Sequence, residues 1–412
     1  MSSSISFKSI KQFPPLMWVI LFGDFITRGS YYMVWPFLAV ILYQKFALSA
    51  TEVGAILSGA AVLSVFVGFF GGAISDTFGR KRVMFSSGII YVLSFVLLSQ
   101  VDSVVGYIVV ITCCSMSKAV WDPPTQALVS DILPDLNVRE LALQGRYFVI
   151  NVGCAIGPII GVYYGVTGQQ STFLLTAGAF ALWLALLAVA LNKHGEIAKH
   201  KHQKEQKLSA TWRVLWQDKM LQCLIVANLV CLFVYAQMDS TLIQYLTRAD
   251  VPELMTLISS LILTNAVVIV SSQFILLKLL ASLSLTQRIK VGLVLLACSQ
   301  VWMSINPVDE FWGWIAAIAV MSVAEAILFP TMNVQIDRLA PSHLKGAYFG
   351  AASFYSVGYA IAPFGGGIIL DILGGPWVFA IGTVLIVGVY YLYSILHRMP
   401  RPDFELLPAE KS

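Results

Sequence analysis

Apolar runs long enough to cross a bilayer recur along almost the whole 412-residue chain, divided by short polar stretches. A transmembrane helix needs ~20 apolar residues. Twelve segments meet that demand, at about 16–44, 52–75, 82–101, 104–131, 139–165, 171–191, 219–246, 253–281, 288–305, 310–337, 344–372 and 376–397. Six fall on either side of a polar, Lys-rich stretch, Asn192 to Gln217. The pattern predicts an all-α membrane protein: a six-helix bundle over 1–191, a cytoplasmic linker over 192–218 and a second six-helix bundle over 219–412. A β-barrel would show ~10-residue alternating segments instead, and the chain has none.

The two halves echo each other. Pro124-Thr125, then five residues and Asp131, returns as Pro330-Thr331, five residues and Asp337, 206 residues further on. Val152-Gly153-Cys-Ala-Ile-Gly157-Pro158 returns as Val357-Gly358-Tyr-Ala-Ile-Ala362-Pro363. Internal repetition points to duplication of one unit. In a hydrophobic chain, two like halves predict a transporter with its substrate site between them.

Composition supports the membrane assignment. Hydrophobic residues make up 58% of the chain and charged residues 12%, against ~25% charged in soluble domains. Lys and Arg mark the cytoplasmic face. With both termini cytoplasmic, only Lys45 and Arg248 lie at outer ends of spans, and Arg28 and Lys118 lie within them. The net charge of +4 is therefore a topology signal rather than a nucleic-acid footprint. Met1 to Pro15 does not read as a cleaved signal, because the apolar run behind it is long and holds Asp24 and Arg28. All six cysteines fall in predicted spans, with no disulfide or zinc spacing. His200 and His202 read as part of a solvated basic linker rather than as metal ligands. No nucleophile, base or metal constellation suggests an enzyme, and no G-x-x-x-x-G-K-[ST] loop suggests ATP. No cofactor is expected; the partners are protons, a small-molecule substrate and the lipid bilayer.

The loop after the second span reads Gly72-Ala-Ile-Ser-Asp76-Thr-Phe-Gly79-Arg80-Lys81-Arg82. It resembles the G-x-x-x-D-x-x-G-R-K signature of the major facilitator superfamily. Gly72 lets another helix approach, and Gly79 permits a tight turn. The resemblance places Asp76 against the N-terminus of span 11, where an acid complements the helix dipole. Arg80 is placed to pair with Asp131 at the end of span 4. Together they would latch the cytoplasmic side shut. The corresponding loop of the second half, around Lys278 to Lys290, has neither the Asp nor the glycines, so a one-sided latch is expected.

Span 5 holds Gly153-Cys-Ala-Ile-Gly157-Pro158-Ile-Ile-Gly161. This is similar to the G-x-x-x-G-P-x-x-G motif of the superfamily's antiporter branch; the alternative is plain helix packing through small residues. Trp121-Asp122-Pro123-Pro124-Thr125-Gln126-Ala127-Leu128 on span 4 looks most like proton-driven multidrug efflux members. Those proteins often carry an Arg in the outer half of span 4, where positions 107–113 here hold no base.

Charges within a bilayer cost about 2.5–3.5 kcal/mol or more each, which makes them functional candidates. Asp24, Arg28, Tyr31 and Trp35 fall on one face of span 1, and Lys118 and Asp122 on one face of span 4. The four charges share a depth. Glu325 lies near the middle of span 10, and Asp239 lies towards the outer side of span 7, with Asn228 and Tyr235 on its face. Low dielectric disfavours the charged form of a carboxylate, so Asp24, Asp122 and Glu325 are the leading proton carriers and Asp239 a further one. Static ion pairs that fix helix packing are the alternative. Of the aromatic residues Tyr31, Tyr32, Trp35, Trp121, Tyr147, Tyr355 and Tyr359, cavity lining is favoured for Tyr31, Trp35 and Tyr147, which share faces with polar residues.

Two transport readings follow. One is a proton-coupled antiporter that exports small amphipathic compounds or drugs from the bacterial inner membrane. The other is a proton symporter of peptide-like or zwitterionic solutes. Asp24-Phe-Ile-Thr27-Arg28-Gly-Ser-Tyr31-Tyr32 is similar to the E-x-x-E-R-x-x-Y-Y element of oligopeptide transporters. There Asn151, with Gly153, partly matches a span 5 element, and Lys118 and Glu325 also have counterparts. A receptor without transport is a third class, separable because its action would not need a proton gradient.

Overall fold

The computed structural model describes residues 7–133, 135–164, 169–194, 217–280, 282–340, 348 and 351–401. The linker segment 195–216, and the side chains of Asp76, Arg80, Asp122, Asp131 and Tyr147, lie outside the described residues. Among the described residues every regular element is helical. Twelve stretches are long and apolar enough to span a membrane: Pro15–Phe46, Ala50–Gly68, Lys81–Leu98, Val104–Trp121, Leu141–Tyr163, Gln170–Asn192, Lys219–Arg248, Leu254–Ser272, Leu285–Ile305, Phe311–Ile336, Ser353–Leu373 and Gly375–Arg398. They are spans 1 to 12 below. The end of the bundle carrying the turns after Phe46 and Arg248 is termed the distal end.

Two spans depart from the continuous helices that hydropathy predicts. Span 1 runs as an α-helix over Pro15–Tyr32, breaks into a 3-10 turn at Trp35–Phe37, and resumes over Leu38–Phe46. Pro36 sits at the break, where it lacks a backbone donor and cannot continue the ladder. Span 7 runs over Lys219–Tyr235, widens into a π-turn at Met238–Leu242, and continues over Ile243–Arg248. There the Leu242 amide donates to the Gln237 carbonyl at 2.8 Å. Each half thus interrupts its first span at the repeat-equivalent place. Single π-turns inside helices are frequent at functional sites, and this one presents Asp239.

Within each half the repeated glycines set how closely helices pack. A Cβ on Gly157 would lie 2.1 Å from the Gly29 carbonyl oxygen, and one on Gly153 2.7 Å from that of Phe25. Span 5 therefore rests backbone to backbone on span 1. Its repeat partner Gly358 does the same on span 7, where a Cβ would meet the Leu229 carbonyl oxygen at 2.0 Å. The span 5 motif is thus a packing surface in this structure, and Pro158 is buried within it. Gly157→Val is expected to destabilise the fold by about 1–3 kcal/mol through overpacking. A thermal melt in detergent matching that of the wild type would contradict this close approach.

Buried apolar residues form separate cores in the two halves. One side holds a cluster around Leu16, Met17, Trp121 and Trp183, and another around Phe37's neighbours Val34 and Leu38 with Phe95 and Tyr107. The other half has a large cluster from Leu221 to Leu396, which Ala50 of span 2 joins. Phe37 and Val40 meet Ile243, Ile258 and Ile262 in a small apolar cluster that joins the halves at the distal end. Span 2 packs along span 11, and span 5 along span 8.

Candidate functional site

The polar interior has two walls, one from each half. On the first, Asp24 of span 1 is 6% exposed. Arg146 of span 5 grips it, with Nε donating to Oδ2 at 2.6 Å and Nη2 to Oδ1 at 3.4 Å. Arg146 lies ~15 Å along the helix that begins at Leu136, which carries it to the depth of Asp24. This base was not legible as an interior charge, because its sequence position reads as the cytoplasmic start of span 5. Distance along the helix was the available signal.

Next to that pair, Lys118 Nζ sits 4.9 Å from the centre of the Tyr31 ring, a cation–π contact. Tyr31 in turn stacks on Trp35, with centroids 5.0 Å apart at 20°. Tyr31 and Trp35, expected on one helix face, lie side by side although the helix breaks between them. Arg28 is half-buried and lies within electrostatic range of Tyr31 and Tyr32. Thr27 is buried and donates to the Gly23 carbonyl of its own helix at 2.7 Å. Asn151 is half-buried on span 5, two residues before the Gly153 contact. Trp121 instead packs edge-on against Trp183 in the core, with ring centres 5.0 Å apart.

The second wall carries acids held by neutral groups. Glu325 Oε2 accepts from the Tyr235 hydroxyl at 2.8 Å and from the Asn265 side-chain amide at 2.8 Å. Asn265 also donates to Ser322 Oγ at 3.1 Å, which fixes which way its amide points. Asp239, on the π-turn, accepts from the Tyr359 hydroxyl at 2.7 Å. Among the described residues, no ion pair involves Glu325 or Asp239. Tyr235, read as a face-mate of Asp239, reaches Glu325 instead. Asn228, expected on the same face, is buried and accepts from Tyr393 of span 12, away from these acids. Asn265 was missed as a site residue and Tyr359 stood only among the aromatic residues not favoured as lining, since their roles depend on how spans 8 and 11 pack.

The walls face each other across the boundary between the halves. Tyr32 and Cys154 each lie within electrostatic range of both Arg28 and Asp239. Tyr359 likewise lies within electrostatic range of both Tyr32 and Glu325. Arg28 and Lys118 therefore come from spans 1 and 4, and Asp239 and Glu325 from spans 7 and 10. The side chains of Asp122 and Tyr147 are outside the described residues, so their places on these walls are not part of this geometry.

Two repeated six-helix bundles around a charged, aromatic interior define a multi-pass membrane transporter. The chain belongs to the Major Facilitator Superfamily, whose family profile matches residues 20–356. It is 30% identical to the MFS-type transporter YqjV of Bacillus subtilis (strain 168), over 95% of this chain and 96% of that one. It is 24% identical to a Na(+), Li(+), K(+)/H(+) antiporter of Planococcus maritimus, over 86% of this chain and 89% of the relative. The fold is shared with a POT family transporter crystallised with 5-aminolevulinic acid, at a TM-score of 0.78 and 15% identity. That match covers 93% of this chain and 96% of the other.

Proposed function

We propose that the protein is a proton-coupled antiporter that exports small amphipathic compounds from the cell by alternating access. The observation that carries this reading is the setting of Glu325. Its carboxylate is held only by neutral donors from Tyr235 and Asn265 among the described contacts. Neutral donors position a carboxylate without an opposing charge to fix it as an anion, so it can exchange a proton. Asp239, bonded by Tyr359, is the second carrier on that wall. Asp24 is the weaker carrier of those expected, because Arg146 must be displaced before it takes a proton. Asp122 remains a carrier on sequence grounds alone.

In this reading Tyr31, Trp35, Arg28, Lys118, Tyr147 and Asn151 line the substrate cavity, and protonation competes with substrate across it. Binding to one state shifts the balance between inward-open and outward-open forms. The bundles 1–191 and 219–412 rock about the cavity on the linker 192–218. Both termini face the cytoplasm of a bacterial inner membrane, and the proton gradient supplies the energy without ATP or a cofactor. No chemistry is performed on the substrate, and multidrug resistance is the physiological outcome. The named antiporter relative supports exchange over co-transport.

One observation favours a second reading, symport of a zwitterion. Arg28 and Lys118 lie on one wall beside the paired Asp24, and Asp239 and Glu325 lie on the other, an arrangement that fits separated opposite charges. Liposomes loaded with a pH dye discriminate the readings. Tetraphenylphosphonium, alkali cations and dipeptides are added separately. Antiport predicts protons moving opposite to tetraphenylphosphonium. Protons moving with dipeptides would establish symport, and movement only with alkali cations would make the protein an inorganic cation exchanger. Binding without any gradient-driven flux would leave a receptor.

A further inference from the structure

We propose that Gly367, Asp371 and Gly374 on span 11 form a second latch, one that holds the distal end closed and must release each time that end opens. The Asp371 carboxylate sits over the start of the helix Ala50–Phe78, across the boundary between the halves. Its Oδ1 accepts from the Ala50 amide at 3.0 Å. Its Oδ2 accepts from the Thr51 amide at 2.7 Å and the Thr51 hydroxyl at 2.6 Å. The first amides of a helix have no partner within it, and an anion there also meets the positive end of the helix dipole. One turn earlier, a Cβ on Gly367 would lie 2.4 Å from the Ala50 carbonyl oxygen. Only glycine lets the two backbones meet so closely. Gly374, at φ +92°, ends span 11 in a conformation suited to glycine.

The order Gly-x-x-x-Asp-x-x-Gly is that of Gly72, Asp76 and Gly79, and Gly79 is also at φ +92°. Spans 2 and 11 pack against each other and run antiparallel, since Ala50 meets Asp371 while Gly54 meets Pro363. Each therefore carries the same motif at its C-terminal end, beside the N-terminal end of the other. The loop at Lys278 to Lys290, where the repeat would put a second latch, lacks the motif. The counterpart is on span 11, at the opposite end of the same helix pair. Neighbouring bonds reinforce the closure. Arg248 Nη2 donates to the Leu48 carbonyl at 2.9 Å, and the Phe364 amide donates to Ser58 Oγ at 3.0 Å.

A cap within one helix would serve stability alone. This one joins residues 320 apart in sequence, from halves that separate at this end under alternating access. The proposal rests on that reading of the transport cycle. The test uses spin labels at Val105→Cys and Trp377→Cys, exposed distal positions on opposite halves, in the full-length protein with its native cysteines replaced. Pulsed dipolar spectroscopy reads the distance between them. Asp371→Ala is expected to raise the long-distance, open population roughly tenfold, the scale of a lost helix cap. Asp371→Asn should have a smaller effect, and Gly367→Ala should open the end as well. Thermal melts of each variant confirm folding. An unchanged distance distribution in both Asp371→Ala and Gly367→Ala would overturn the latch. Arg80→Ala, which loosens the opposite end, is expected to deplete the distal-open population. If Asp371→Ala opens the distal end but Arg80→Ala changes nothing, the latch stands and the alternation of the two ends fails.

Discussion

Glu325→Gln is expected to reduce gradient-driven transport to background while leaving substrate exchange across a membrane without a gradient. Glutamine has the same shape and keeps an oxygen for the Tyr235 and Asn265 donors. Replacing a hydrogen-bonded group by one that still accepts costs about 1 kcal/mol or less, so the fold should survive. What is lost is the capacity to bind a proton. The check is paired: proton-driven accumulation and counterflow exchange in the same liposomes. Wild-type accumulation would remove Glu325 from the coupling set. Loss of both activities with a depressed melting temperature would instead make it a packing residue.

Arg146→Ala is the second large effect. It leaves Asp24 buried at 6% exposure without the guanidinium that grips it. Removing one partner of a buried ion pair typically costs about 3–5 kcal/mol, because the remaining charge stays desolvated. Neutralising both partners, as Asp24→Asn with Arg146→Gln, should recover most of that loss. Thermal stability of the two singles and the double gives the coupling directly. Additive effects, with no recovery in the double, would show that the pair does not bind spans 1 and 5 together.

The span count and the repeat were legible because they depend on local hydropathy and on residue order. The glycine contacts of span 5 were legible as well, since small residues at i and i+4 suit only a close neighbour. Pro36 foretells the break in span 1, a sign that hydropathy alone passes over. The π-turn at Met238–Leu242 has no such mark. It depends on how the Gln237 carbonyl and side chain are satisfied, through Leu242 and Thr241.

Partnerships across helices were the harder part. The charges on spans 1 and 4 were found, but the base that holds Asp24 comes from span 5. Glu325 was placed near mid-span, yet Asn265 beside it has no charge to draw notice. Tyr359 was one tyrosine among several until the packing of span 11 brought it to Asp239. Sequence spacing orders side chains on one helix, whereas these contacts depend on which helices meet and at what height.

If Glu325 carries the proton that substrate displaces, substrate binding must release that proton. Proton release from the purified protein in weak buffer, on addition of tetraphenylphosphonium, tests it most directly. Measurable release is expected from the wild type and none from Glu325→Gln. Undiminished release from the variant would contradict the assignment, and no release from either, despite binding, would contradict proton–substrate competition altogether.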